Sequence, residues 1–121
     1  MTIPGVTRQQ PHITGPGVST LSSYSGTDTQ YAQASGTSMS CPHVAGFVAL
    51  LLGANPELTI EELERIMEDT PDTAGLGCSG TACACDDVPI DTFPNMVWGY
   101  GRINACTALE AAGETNPCGL A

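Results

Sequence analysis

Residues 35–52, Ser-Gly-Thr-Ser-Met-Ser-Cys-Pro-His-Val-Ala-Gly-Phe-Val-Ala-Leu-Leu-Leu, limit the possible folds more than any other stretch. Glycine and Thr37-Ser38 read as a turn and a helix N-cap. Pro42 then falls in the first turn, where a missing N–H breaks no intrahelical bond. From Val44 to Leu52 every residue is apolar or glycine, so the helix has no polar face. That pattern predicts a central helix buried on all sides. About fifteen residues at 1.5 Å each give a length of roughly 22 Å. Gly53 and Pro56 stop it. Gly46 weakens it by about 1 kcal/mol relative to alanine, which makes sense where another backbone packs closely.

The helix start places Ser38 among free backbone N–H groups and the positive end of the helix dipole. Both favour a developing oxyanion. On residue chemistry alone, Thr37 or Ser38 could equally be a simple cap. The eleven residues Gly36 to Gly46, G-T-S-M-S-C-P-H-V-A-G, resemble the nucleophile motif of the subtilisin-like serine proteases, the subtilases. The α/β-hydrolase elbow G-x-S-x-G fits less well, because Ser40 stands where its second glycine belongs. The resemblance implies that Ser38 is the nucleophile of a serine-type endopeptidase, working through an acyl-enzyme.

Two further segments are similar to the same family. Gln10 to Val18 resembles the segment P-D-I-x-A-P-G, with His12 in place of the acidic residue and Gly15 in place of the alanine. Val97 to Ala105 resembles its closing G-x-G-x-[IV]-N-A segment. His12 therefore stands at a structural position and is read as an ordinary surface histidine, not the catalytic base. His43 is one turn beyond Ser38 on the same rigid helix and is read as structural. Met39 is either packing filler or an oxidant-exposed neighbour of the nucleophile. Cys41 is read as a small buried hydrophobe. Ser35, Gly36 and Thr37 are expected to line the cleft.

Composition narrows the setting. The net charge is −10, with three arginines and no lysine. This argues against nucleic acid or an anionic membrane as a partner. Six cysteines suggest an oxidising, extracellular compartment. Residues 1–5 show neither the basic start nor the apolar core of a signal peptide, so the export signal is expected outside this chain. The nine-residue apolar run falls short of a membrane span.

Elsewhere the sequence predicts a strand over 18–23 with Leu21 facing the core, and a short strand over 31–34. A second helix starts at Thr59, where Glu62 completes a capping box. Its apolar stripe is Ile60, Leu63, Ile66 and Met67, and its acidic run is a solvated face. Asn104 caps a last short helix that runs to Ala112 and ends at Gly113. Residues 72–95 are a family-unlike insert rich in cysteine and aspartate. Cys78, Cys83 and Cys85 lack the paired CxxC spacing of a zinc site. Asp86, Asp87 and Asp91 could hold calcium, though no EF-hand loop is present. Disulfides or plain loop stay open as well. Cys106 and Cys118 bracket the last helix and could bridge it to a polar, frayed tail.

By resemblance, residues 1–113 form the C-terminal part of a subtilase peptidase domain, and 114–121 form a tail. The implied architecture is an α/β three-layer sandwich with a mostly parallel sheet and a buried central helix. The catalytic Asp and His and the oxyanion Asn have no matching motif here. They are expected in a missing N-terminal part, and the isolated chain is expected to be inactive. Its partners would be that part and a protein or peptide substrate. The alternative is a truncated, non-catalytic subtilase relic or binding module. A third reading makes residues 78–91 a small metal-binding insert.

Overall fold

The computed structural model describes residues 10–79, 83 and 88–119. Its elements follow the order β1 (Thr20–Ser23), β2 (Tyr31–Ala34), α1 (Thr37–Ala54), α2 (Ile60–Asp69) and α3 (Ala105–Ala111). β1 and β2 form an antiparallel hairpin in the register Thr20↔Ala34 to Ser23↔Tyr31. The turn is closed by the Tyr24 N–H donating to the Gln30 carbonyl at 2.8 Å. Leu21 does not face a core. It lies opposite Gln33 and is 63% exposed. Alternation along a strand assigns it to a face, but nothing in the described chain covers that face.

The implied parallel sheet has one counterpart among the described residues, a parallel bridge between Thr14 and Arg102. There the Thr14 N–H donates to the Gly101 carbonyl and the Ile103 N–H to the Thr14 carbonyl, both at 2.9 Å. Arg102 also bridges Asp72 on its other side and forms an ion pair with that carboxylate. Segment 12–17 therefore lies beside 98–103, which lies beside 72. Gly99 makes this approach close. Its φ is +61°, and a Cβ there would meet the His12 carbonyl oxygen at 2.3 Å. A side chain at 99 would clash directly with backbone.

The helices start as their caps dictate. Thr59 and Glu62 make a reciprocal capping box: the Glu62 carboxylate accepts from the Thr59 N–H at 2.8 Å, and the Thr59 hydroxyl oxygen accepts from the Glu62 N–H at 3.3 Å. Asn104 accepts from the Cys106 and Thr107 N–H groups at 3.1 and 3.4 Å. The core is small. Phe47 and Leu51 of α1, Leu63 of α2 and Ala108 of α3 are buried, flanked by Val48, Leu58, Ile66, Met67 and Leu109. Ile60, placed in the α2 stripe by spacing, is 72% exposed at the first position of that helix.

α1 departs most from expectation. It is 18 residues long but not buried on all sides. Leu50 is 54% exposed and Leu52 37%. A Cβ built at Gly46 would meet nothing within 4 Å, so no backbone packs against that glycine. The physical reason is coverage: α2 and α3 shield one side of the helix, β1 and segment 15–17 meet only its first turns, and the described residues leave Leu50 and Leu52 open. At this length and composition α1 would suffice to cross a bilayer, contrary to the estimate from its nine-residue run. Its Phe47–Leu51 side packs into the core instead.

Cys106 and Cys118 are disulfide-bonded, so the segment after α3 is pinned to the helix rather than frayed. Cys78 pairs with Cys83. Cys41 is free and, against expectation, exposed, because it lies on an uncovered side of α1.

Candidate active site

Ser38 is the second residue of α1 and is exposed. The N-cap is Gly36, with φ +151° and no side-chain cap. Neither Thr37 nor Ser38 spends its hydroxyl on capping, so the simple-cap reading of these two residues does not hold. The Gly36 carbonyl accepts from Met39 at 3.0 Å and from Ser40 at 3.2 Å. Among the described residues, the Thr37 and Ser38 N–H groups have no partner. They are the open donors of a helix N-terminus, one of them on Ser38 itself. Only glycine holds such a φ without strain, and with no capping side chain these donors stay available.

Ser38 opens into a cleft of about 380 Å³ whose walls are Thr20, Leu21 and Ser22 of β1 and Met39, Pro42 and His43 of α1. Ser35, Gly36 and Thr37 line a different recess of about 510 Å³ on the side of segment 11–18. Met39 lies in the cleft wall beside Ser38, consistent with either of its two readings.

The turn is held from below. The Gly36 N–H donates to the Gly17 carbonyl at 2.7 Å, and the Ser40 hydroxyl donates to the Gly15 carbonyl at 2.8 Å. Ser35 accepts from the Ser19 N–H at 2.8 Å. Segment 15–19, the hairpin exit and the first turn of α1 are thus joined around Ser38.

Neither histidine is arranged as a base for Ser38. His43 Nδ1–H donates to the Met39 carbonyl at 2.8 Å, one turn back on its own helix. His12 is half-buried, not an ordinary surface residue. Its Nε2 pairs with the Glu68 carboxylate at 2.9 Å, and its ring meets the edge of Tyr100 at 5.5 Å. It fastens segment 12–17 to α2.

Sequence reading overlooked Asn95, which is 2% exposed. Its amide donates to the Ile90 and Thr92 carbonyls at 3.0 and 2.9 Å, and its oxygen accepts from the Val97 and Trp98 N–H groups at 3.0 and 2.8 Å. It organises the loop that presents Gly99 to His12. The available signal was an asparagine after proline in a loop rich in turn residues.

No group of three or more His, Cys, Asp or Glu that could hold a metal occurs among the described residues. Of the candidate ligands, Cys85, Asp86 and Asp87 lie outside the described residues, and Cys78 and Cys83 are bonded to each other.

Ser38 thus stands exposed at a helix start without a side-chain cap, with a cleft beside it and, among the described residues, open N–H donors around it. The model of the subtilase family matches residues 3–105, and the chain belongs to that family. The chain is 35% identical over 102 residues to Bacillopeptidase F of Bacillus subtilis, covering 84% of this chain and 6% of that protein. It is 34% identical over 106 residues to a subtilisin-like serine protease of Cochliobolus lunatus, covering 85% of this chain and 21% of the relative. It is 34% identical over 88 residues to a calcium-dependent protease of Trichormus variabilis, covering 68% of this chain and 11% of that one. The chain thus spans well under a third of the length of these curated relatives. No solved structure matches it significantly.

Proposed function

We propose that this chain is the nucleophile-bearing part of a secreted subtilisin-like serine endopeptidase, with Ser38 as the attacking residue. The observation that carries the reading is the state of Ser38: exposed, uncapped, beside a cleft and, among the described residues, with its own N–H unpaired. In this reading Ser38 Oγ bonds to the carbonyl carbon of a substrate peptide, and its proton passes to a base. The carbonyl electron pair moves onto oxygen, which faces the Ser38 N–H. The C–N bond then breaks as the base returns the proton to the leaving amine. Water cleaves the resulting ester and frees Ser38.

The base, its orienting carboxylate and the second oxyanion donor belong to the N-terminal part of the catalytic domain. The relatives' greater length supports this division. So does α1, whose apolar sides need walls that the described residues do not provide. A serine hydroxyl without an aligned base is a poor nucleophile at neutral pH, so the chain alone gives no turnover. The two disulfides support an extracellular setting.

The test is peptide hydrolysis by the chain joined to its upstream part. Ser38→Ala should abolish turnover, while His43→Ala should leave it measurable. Turnover that survives Ser38→Ala refutes the proposal.

A further inference from the structure

The structure assigns Ser40 a positioning role: we infer that its hydroxyl sets how α1's first turn seats on segment 12–17, and that glycine at position 15 makes room for it. This rests on the reading of Ser38 as nucleophile.

The N-cap of α1 has no side-chain bond, so something else must fix the turn. Two bonds do so, Gly36 N–H to the Gly17 carbonyl and Ser40 Oγ–H to the Gly15 carbonyl. They flank Ser38, two residues before it and two after. The segment that carries their acceptors is held just upstream, where His12 and Thr14 pair with Tyr100, Gly101 and Ile103. The first turn is thereby placed relative to the strand-like segment that closes the fold.

Gly15 is coupled to this bond by size. A Cβ at position 15 would lie 3.0 Å from Ser40 Oγ, 3.2 Å from the Ser40 carbonyl oxygen and 3.2 Å from Val44 Cγ2. The related family segment carries alanine at this position, and here glycine replaces it. With alanine at 15 the Ser40 hydroxyl and Val44 would have to give by a few tenths of an ångström, which strains that bond. With glycine it fits, and the turn gains a second anchor. A reacting oxygen must be held to about half an ångström, so a shift of this turn would affect attack more than substrate binding.

The first experiment follows amide exchange in the full chain carrying Ser40→Ala, Ser40→Thr, Gly15→Ala, or Gly15→Ala with Ser40→Ala. Losing one neutral hydrogen bond should speed exchange of the Gly36 amide about five- to tenfold in Ser40→Ala. The Leu63 and Ala108 amides should keep their rates, and Ser40→Thr should restore the Gly36 rate. The double variant should be perturbed less than the sum of its singles. An unchanged Gly36 rate, equal acceleration of all three amides, or strict additivity overturns the inference. The second experiment measures phosphonate labelling of Ser38 with the upstream part supplied. Ser40→Ala should slow the bond-forming step severalfold at unchanged affinity, and labelling at the wild-type rate overturns the positioning role. If the wild-type protein resists labelling, the nucleophile reading fails, while amide exchange still decides whether Ser40 anchors the turn.

Discussion

α1 and α2 solve the same problem in opposite ways. α2 has a polar outer face, a reciprocal capping box at its start and an apolar stripe that sinks Leu63 into the core. It needs little beyond what it already touches. α1 has no polar face, no side-chain cap and long stretches of apolar surface in the open. What would be faults in an independent helix suit one meant to be enclosed and, in the function proposed for Ser38, one whose N-terminal donors are kept open for the reacting group.

This contrast can be broken most strongly at the core. Leu51→Ala should destabilise by about 2–5 kcal/mol in denaturant titrations, enough to unfold so small a core. Leu50→Ala, one position away on the open side, should change stability by less than about 0.5 kcal/mol. Equal losses at both positions would mean that the open side of α1 is covered after all. Next in size is the surface itself. The purified chain should bind a hydrophobic dye and self-associate, and Leu50→Glu with Leu52→Glu should suppress both. A chain that stays monomeric and binds no dye would contradict the picture of unwalled helix faces.

The caps give a smaller difference. Thr59→Ala should lower stability by about 1 kcal/mol, because it opens the capping box. Thr37→Ala should have almost no effect, since that hydroxyl caps nothing. The smallest effect is on pH. The backbone N–H and hydroxyl of Thr59 hold the Glu62 carboxyl below its ordinary 4.5. The Ala74 N–H and Arg102 hold that of Asp72 below its ordinary 3.8. Depressed carboxyl values contribute stability that is complete above the ordinary value and lost as pH falls through the lower folded one. Helicity of α2 should therefore decline below about pH 4.5. Glu62→Gln should flatten that decline, and Arg102→Ala should weaken the part due to Asp72. A pH response unchanged in Glu62→Gln would show that the capping carboxylate is not its source.

What the sequence revealed was mostly local. The α2 capping box, the Asn104 cap and the β2 strand each depend on residues within a few positions of one another. So does the link from Cys106 to Cys118 across one short helix. The motif around Ser38 was legible because a nucleophile turn needs its glycine, serine and apolar helix in sequence. Burial was less legible. An all-apolar helix says that walls are needed, not that the same chain supplies them, so α1 and Cys41 came out more exposed than expected. Leu21 and Ile60 failed for the same reason: each lies on a face that its element could bury, but nothing packs there. His12 and Asn95 depend on partners that composition does not reveal. One meets a carboxylate 56 residues away, and the other gathers four backbone groups of its own loop.

The most direct measurement treats the chain, joined to its upstream part, with a peptidyl phosphonate and maps the adduct by mass spectrometry. A single adduct on Ser38, absent from Ser38→Ala, is the result predicted here. An adduct on another residue, or none on a folded protein that cleaves peptides, would contradict the assignment of Ser38 as nucleophile.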